Sequence, residues 1–325
     1  MRAALFASDA VALDVAEYLR SSGEWELACV VSNPDRPKGR GQKMSPNAAS
    51  EWALKNGVEL LRPPKTPSPE DMERLRGLGA DFIIVMAYGH ILKSCVLEYS
   101  EYPCLNLHAS LLPDLRGASP IETAIALGRR RTGVSLMRIS PGMDEGDVCA
   151  AKEILIDGFD TSATLRAKIG KAAAEVLKDN LRGALDGKIK FLPQDASCAT
   201  YTRKLDKSDL LVDFNTDAIR ICDRIRAFGC GIFEYKNMRM KIGSARAVDC
   251  AGVAGECGKI ICASAEGGLK ILCANGAIDV LKIQKPCAKM MDAADFLSGF
   301  SFDVSEPLKS FKNRSILSGP EKIFL

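Results

Sequence analysis

Phe82-Ile83-Ile84-Val85-Met86 is the stretch on which the fold turns. A strand covered on one face alternates apolar and polar residues, whereas one covered on both faces does not. This unbroken run predicts a central strand. Upstream, Ala3-Ala4-Leu5-Phe6 and Leu27-Ala28-Cys29-Val30-Val31 read as further strands, and downstream so does Leu105-Asn106-Leu107-His108. Helix signals separate them. Ser68-Pro69-Glu70-Asp71 offers an N-cap, a proline at the first helical position and acids in the first turn. Ser119-Pro120-Ile121-Glu122 repeats the pattern, with the Ser and Glu spaced as in a capping box. Strands alternating with helices predict crossover units and a mostly parallel sheet.

Residues 161–185 read as one or two long amphipathic helices. After Gly187 the pattern changes. Residues 188–202 are irregular and contain Pro193. Beyond them come one helix over 217–227 and short strands around 239–242, 259–262, 269–273 and 277–281, several separated by glycine turns. Short strands with such turns suggest a small barrel. The expected fold is α/β: a Rossmann-like, mostly parallel domain at 1–187, a linker at 188–202, and a smaller OB-like β-barrel at 203–325.

Composition narrows the class. The 325 residues are 47% hydrophobic and 26% charged, enough for a sizeable core. The longest uncharged apolar stretch, residues 82–92, is well short of the ~20 residues a membrane span needs. The N-terminus carries one charged side chain and too short an apolar region for a signal peptide, so a cytoplasmic protein without a membrane partner is expected. There are 12 cysteines, none in a Cys-x-x-Cys pair, which disfavours a zinc ribbon. Reduced, mostly buried thiols are expected. Residues 203–325 hold 19 Lys and Arg against 15 Asp and Glu, a balance of +4, and the rest of the chain stands at −1. The cluster at 219–246, containing Arg220, Arg224, Arg226 and Arg239, is read either as a polyanion footprint or as a solvated helix face.

A nucleotide cofactor has no support. The first strand runs into Phe6-Ala7-Ser8-Asp9-Ala10, without the glycines of a dinucleotide turn, and no phosphate loop occurs. The two histidines, His90 and His108, belong to no metal motif, and no metal is expected. His108 lies two residues after Asn106, so both side chains share a strand face. They sit at a strand's carboxyl end, where open α/β sheets hold ligands. Asn106 can donate an amide hydrogen bond, and His108 can move protons near neutral pH. On these residues alone, a hydrogen-bonded structural histidine is an equal reading. Gly142-Met143-Asp144-Glu145-Gly146-Asp147 is an acidic turn between two strands, and an acid there could orient the imidazole.

Asn106-Leu107-His108-Ala109-Ser110-Leu111-Leu112-Pro113, with Arg116-Gly117-Ala118-Ser119-Pro120 and the 142–147 turn, resembles the folate-dependent formyltransferase family. The resemblance covers almost the whole chain. It implies a catalytic Asn106, His108 and Asp144, and 10-formyltetrahydrofolate as co-substrate. It places Ser110, Leu111, Leu112 and Pro113 on the folate, with Tyr88 and Gly89 on a second folate segment. Residues 33–43 resemble the basic loop of the family branch whose acceptor is initiator methionyl-tRNA, implying tRNA contacts from Arg36, Lys38, Arg40 and Lys43. The basic second domain would add Arg224 and Arg239. A monomer is expected. Two departures stand out. The family's Gly-Thr-Pro after the first strand is Ser8-Asp9-Ala10 here, and its Pro-rich stretch after Arg-Ala is Phe228-Gly229-Cys230-Gly231. Two rival readings remain: an N-formyltransferase acting on a sugar nucleotide or other small amine, and a nucleic-acid-binding protein without catalysis.

Overall fold

Residues 1–38, 41–250 and 253–318 are described by a computed structural model of the chain. A seven-stranded sheet forms the centre of the first half: β1 (Arg2–Ala7), β2 (Glu26–Val31), β3 (Leu60–Leu61), β4 (Phe82–Met86), β5 (Leu105–His108), β6 (Arg131–Arg138) and β7 (Val148–Leu155). Their order across the sheet is β7-β6-β5-β4-β1-β2-β3. The β3-to-β5 portion is parallel, and β6 and β7 extend it antiparallel at one edge.

The unbroken apolar run of β4 has the expected cause. Phe82, Ile84 and Met86 join one buried cluster and Ile83 and Val85 another, on opposite sides of the sheet. Helices α1 (Leu13–Ser21), α2 (Ala48–Lys55), α5 (Pro120–Ala126) and α6 (Ser162–Leu185) cover the first face. Helices α3 (Pro69–Gly77) and α4 (Ser94–Leu97) cover the second. The 161–185 pattern is thus one helix, whose buried stripe includes Leu165, Ile169, Ala173, Val176, Leu177 and Leu181.

The two expected helix starts differ. At α3 the Ser68 hydroxyl accepts from Asp71 N at 3.3 Å and the Asp71 carboxylate accepts from Ser68 N at 2.9 Å. At α5 the capping box read from sequence does not form, because Ser119 makes no side-chain cap. Glu122 instead receives Arg166 Nη2 at 2.6 Å, a long-range ion pair that outcompetes the local cap.

The second half contains α7 (Ala218–Phe228), β8 (Gly231–Tyr235), β9 (Met238–Val248), β10 (Ile260–Ser264), β11 (Gly268–Leu272), β12 (Ala277–Gln284), β13 (Met291–Asp292) and α8 (Ala293–Ser298). All its strand pairs are antiparallel, in the order β8-β9-β12-β11-β10 with β13 on β12. The sheet curls around Phe233, Met240, Ile242, Leu269, Ile271, Ile278 and Val280, and α7 adds Ile221 and Ile225 to that core. A mostly parallel α/β half followed by a small barrel-like half is the expected class.

The arginines of α7 resolve a choice the sequence left open. Arg220 Nη1 donates to Leu127 O at 2.8 Å, and Arg226 Nη1 donates to Asp160 O at 2.5 Å. Arg224 Nη2 donates to Asp209 O at 3.1 Å and to Asn313 Oδ1 at 3.0 Å, with its guanidinium over the Phe228 ring. Arg224 and Arg226 are drawn into internal bonds, and Arg220, about half exposed, is tied to the end of α5. Two of them fasten the second half to the first.

The cysteine expectation needs correcting. All twelve thiols are free, but only Cys29, Cys104, Cys222 and Cys273 are buried, and Cys198 and Cys287 are exposed. Among the described residues no helix is long and apolar enough to cross a membrane.

Candidate active site

The strand order reverses beside β1: β2 lies on one side and β4 on the other. Ligands of open α/β sheets bind at such a point, beyond the strands' carboxyl ends. A cavity of about 420 Å³ lies there. Its wall takes Asp9 from beyond β1, residues 85–92 from β4 and the turn after it, Asn106 and His108 from β5, and residues 139–144 from the turn between β6 and β7. Asn106, His108 and Asp144, far apart in sequence, thus meet at one cavity.

Both ring nitrogens of His108 face oxygen acceptors. Nε2 donates to Leu115 O at 2.9 Å, and Nδ1 lies 3.5 Å from Asp144 Oδ2. Asp144 Oδ2 also accepts from Gly117 N at 2.8 Å. Leu115 and Asp144 adopt left-handed backbone conformations, with φ of 57° and 52°, and so aim these groups. Such conformations cost a non-glycine residue about 1–3 kcal/mol and cluster at functional sites. Gly117 has φ of 99°, and a Cβ there would lie 2.4 Å from Thr202 O. The close approach of backbone to backbone demands glycine. No other described group hydrogen-bonds the Asn106 side chain, which remains available to a ligand in the cavity it lines.

The backbone groups of Leu115 and Gly117 escape side-chain reasoning, since residue type carries no signal for a carbonyl or amide. The only sequence cue is Gly117 within Arg116-Gly117-Ala118.

The residues expected on the folate separate. Tyr88 and Gly89 lie in the cavity wall, although the Tyr88 ring is only 1% exposed and packs between Phe6 and His90. Ser110, Leu111, Leu112 and Pro113 are not in that wall. Ser110 Oγ donates to Asp114 O at 2.5 Å, Ser110 O accepts from Ser135 Oγ at 2.8 Å, and Leu112 N donates to the same hydroxyl at 3.0 Å. These bonds make the segment a brace for the turn that carries Leu115.

Charge is unevenly spread around the cavity. Arg166 bridges Asp9 Oδ1 at 2.8 Å and Glu122 Oε1 at 2.6 Å. On the other side His90 Nε2 donates to Asn33 Oδ1 at 2.5 Å. Burial first, and Arg36 second, hold the His90 imidazole below its ordinary pKa. Among the described residues no group of three or more His, Cys, Asp or Glu is arranged to hold a metal ion.

The expected basic loop is a hairpin, in which residues 36–38 pair antiparallel with 43–45. Asn33 and Asn47 join its two feet, Asn47 Nδ2 donating to Asn33 O at 3.0 Å. Arg36 and Lys43 are exposed, the Lys38 backbone lies in the first strand, and Arg40 lies outside the described residues. Arg239 is on β9 with Nε 3.3 Å from Glu234. Arg224 makes the internal bonds given above.

Comparison with known proteins matches both parts of the chain. Residues 1–181 match the family model described as formyl transferase, and residues 204–301 match formyl transferase, C-terminal domain. A methionyl-tRNA formyltransferase of Methylococcus capsulatus is 37% identical over 272 residues, covering 83% of this chain and 87% of its own. That of Nitrosospira multiformis is 37% identical over 297 residues, covering 90% and 94%. The crystal structure of WlaRD, a sugar 3N-formyl transferase, superposes with a TM-score of 0.61 at 19% identity, covering 89% of this chain and 99% of that one. The last is a likeness of fold.

Proposed function

The chain belongs to the formyl transferase family, and we propose that it transfers a formyl group from 10-formyltetrahydrofolate to the amino group of initiator methionyl-tRNA. One observation carries this reading. Relatives 37% identical over most of both chains are methionyl-tRNA formyltransferases, and this chain keeps both matched regions. The sugar-amine reading rests on fold alone. The enzyme would act in the cytoplasm as a monomer, with the chain divided into 1–187, a linker at 188–202 and 203–325.

The cavity suits a flat, polar-edged heterocycle. Ile91, Leu92, Met137 and Ile139 offer apolar surface, and the turn at 87–90 brings backbone groups to the same wall. About 420 Å³ lies within the usual range for a ligand site. When bound there, the co-substrate supplies the formyl carbon. An α-amino group titrates near ~8, so part of the acceptor is a free nucleophile at neutral pH. The Asn106 amide donates to the oxygen on which charge develops, and the His108 ring lies beside it in the same cavity wall. Asp144, aimed by Gly117 N, orients His108 and takes the proton that the amine sheds; as the bond from the formyl carbon to the folate nitrogen breaks, a proton passes by way of His108 to the leaving nitrogen. Tyr88 and Gly89 meet the folate directly, while Ser110, Leu111, Leu112 and Pro113 act through the turn they brace. Arg36, Lys38, Arg40, Lys43 and Arg239 meet tRNA phosphates.

Purified protein mixed with 10-formyltetrahydrofolate and charged initiator tRNA tests the reading. Formylated methionyl-tRNA is expected. Transfer only to a free small amine supports the sugar-amine reading, and tRNA binding with no transfer to any amine supports a non-catalytic one.

A further inference from the structure

Asp144 sits on the turn between β6 and β7, but a residue from outside the catalytic half grips that turn. Gln194 Nε2 donates to Asp144 O at 2.8 Å and to Gly146 O at 2.7 Å. Its Oε1 accepts from Arg116 Nε at 3.0 Å and from Arg116 Nη2 at 2.8 Å. Arg116 is only 3% exposed, and its Nη1 donates to Tyr201 OH at 2.7 Å. The Tyr201 hydroxyl donates in turn to Glu145 Oε1 at 3.0 Å, beside Asp144. The ring closes on itself: 194 and 201 from the connecting segment, 116 from the turn before α5, 144–146 from the acidic turn.

The chemistry demands an amide. Gln194 gives two protons to two carbonyls and takes two from one guanidinium, which uses its whole donor and acceptor capacity. A carboxylate there would still suit Arg116 but would set negative oxygen against two carbonyls. An apolar side chain would leave Nε and Nη2 of the buried guanidinium, and two carbonyls, without the partner they have here.

We propose that Gln194 is a positioning residue for the formyl transfer reaction, acting through Asp144. It fixes the backbone of the left-handed residue, so that the carboxylate meets Gly117 N and faces His108 Nδ1. The segment joining the two halves is then part of the active site. The inference rests on the reaction proposed above and adds a residue to its machinery.

Gln194→Glu and Gln194→Met test it, with formylation of charged initiator tRNA followed at saturating and limiting concentrations of both substrates. Misplacement of a catalytic group by about 1 Å costs on the order of 10²-fold, and a loss of that order in kcat is expected for Gln194→Glu. Both KM values should stay within about twofold, because no substrate contact is removed. Gln194→Met should move in the same direction, and melting curves identify any variant that fails to fold. The decisive comparison is made in an Asp144→Asn background. Residues acting as one unit are not additive, so Gln194→Glu should cost nothing further there. A full additional loss in that background overturns the proposal, as does unchanged kcat in folded Gln194→Glu protein. If the wild-type protein itself transfers no formyl group, the proposed reaction falls and this role with it. If the wild type is active and the variant matches it, only the role of Gln194 falls.

Discussion

At the scale of single residues, one amide and one glycine separate chemistry from framework. Asn106→Ala removes the donor aimed into the cavity, and a 10²–10³-fold fall in kcat of roughly the size seen for a lost oxyanion donor is expected. Equilibrium binding of folate and charged tRNA should persist, and a near-normal rate would remove Asn106 from the scheme. Gly117→Ala is the framework counterpart. Its Cβ would collide with Thr202 O and withdraw the amide that aims Asp144. A loss of activity is expected with a lowered melting temperature, whereas Asn106→Ala should leave melting nearly unchanged. His90 adds a pH signature. Its folded pKa lies below its unfolded one, so the unfolded chain takes up the proton first as pH falls. The stability held by neutral His90 is complete above ~6.5 and is lost as pH drops through the folded value. His90→Gln should flatten the decline of urea-unfolding stability below about pH 6.5; an unchanged decline removes His90 as its source. Side-chain types and spacing put Asn106 and His108 on one strand face, and the family resemblance implied their catalytic role and added Asp144. Leu115 O and Gly117 N were beyond both, since every residue has a carbonyl and nearly every residue an amide.

Elements were legible where local chemistry decided them. β4 was readable because burial on both faces removes alternation, and α3 because its cap is made within four residues. The start of α5 shows where local reading stops: the Ser119 and Glu122 spacing is right, but Arg166, 44 residues downstream of Glu122, claims the carboxylate. The contrast is measurable. Ser68→Ala should cost about 1 kcal/mol of stability, the usual value of a lost N-cap. Ser119→Ala, where no cap exists, should cost less than Ser68→Ala in the same denaturation assay. The charge cluster of α7 was ambiguous for the same reason. Whether an arginine meets water, a phosphate or a carbonyl depends on what packs against the helix, and here α5 does.

Over the whole molecule, the two-part architecture followed from a change in hydrophobic period near Gly187, but the way the parts lock together did not. Burial of thiols is likewise a property of the finished fold. Cys29, Cys104, Cys222 and Cys273 are buried, and desolvation pushes each thiol up to about 12. A thiol disulfide reagent at neutral pH should consume Cys198 and Cys287 quickly and these four only after denaturant is added. Early modification of Cys104 in folded protein would contradict the packing described. The lock itself is a small sheet in which residues 317–318 pair with 201–202, and 201–202 pair with 116–117. That arrangement has a consequence in time. A ribosome makes about 5–20 residues per second, so Leu317 follows Thr202 by roughly ten seconds. The catalytic half can collapse around β4 while the strand that pairs with residues 201–202, behind Gly117, is still being made. Synthesis therefore delivers the reactive side chains early and the last support of their alignment late.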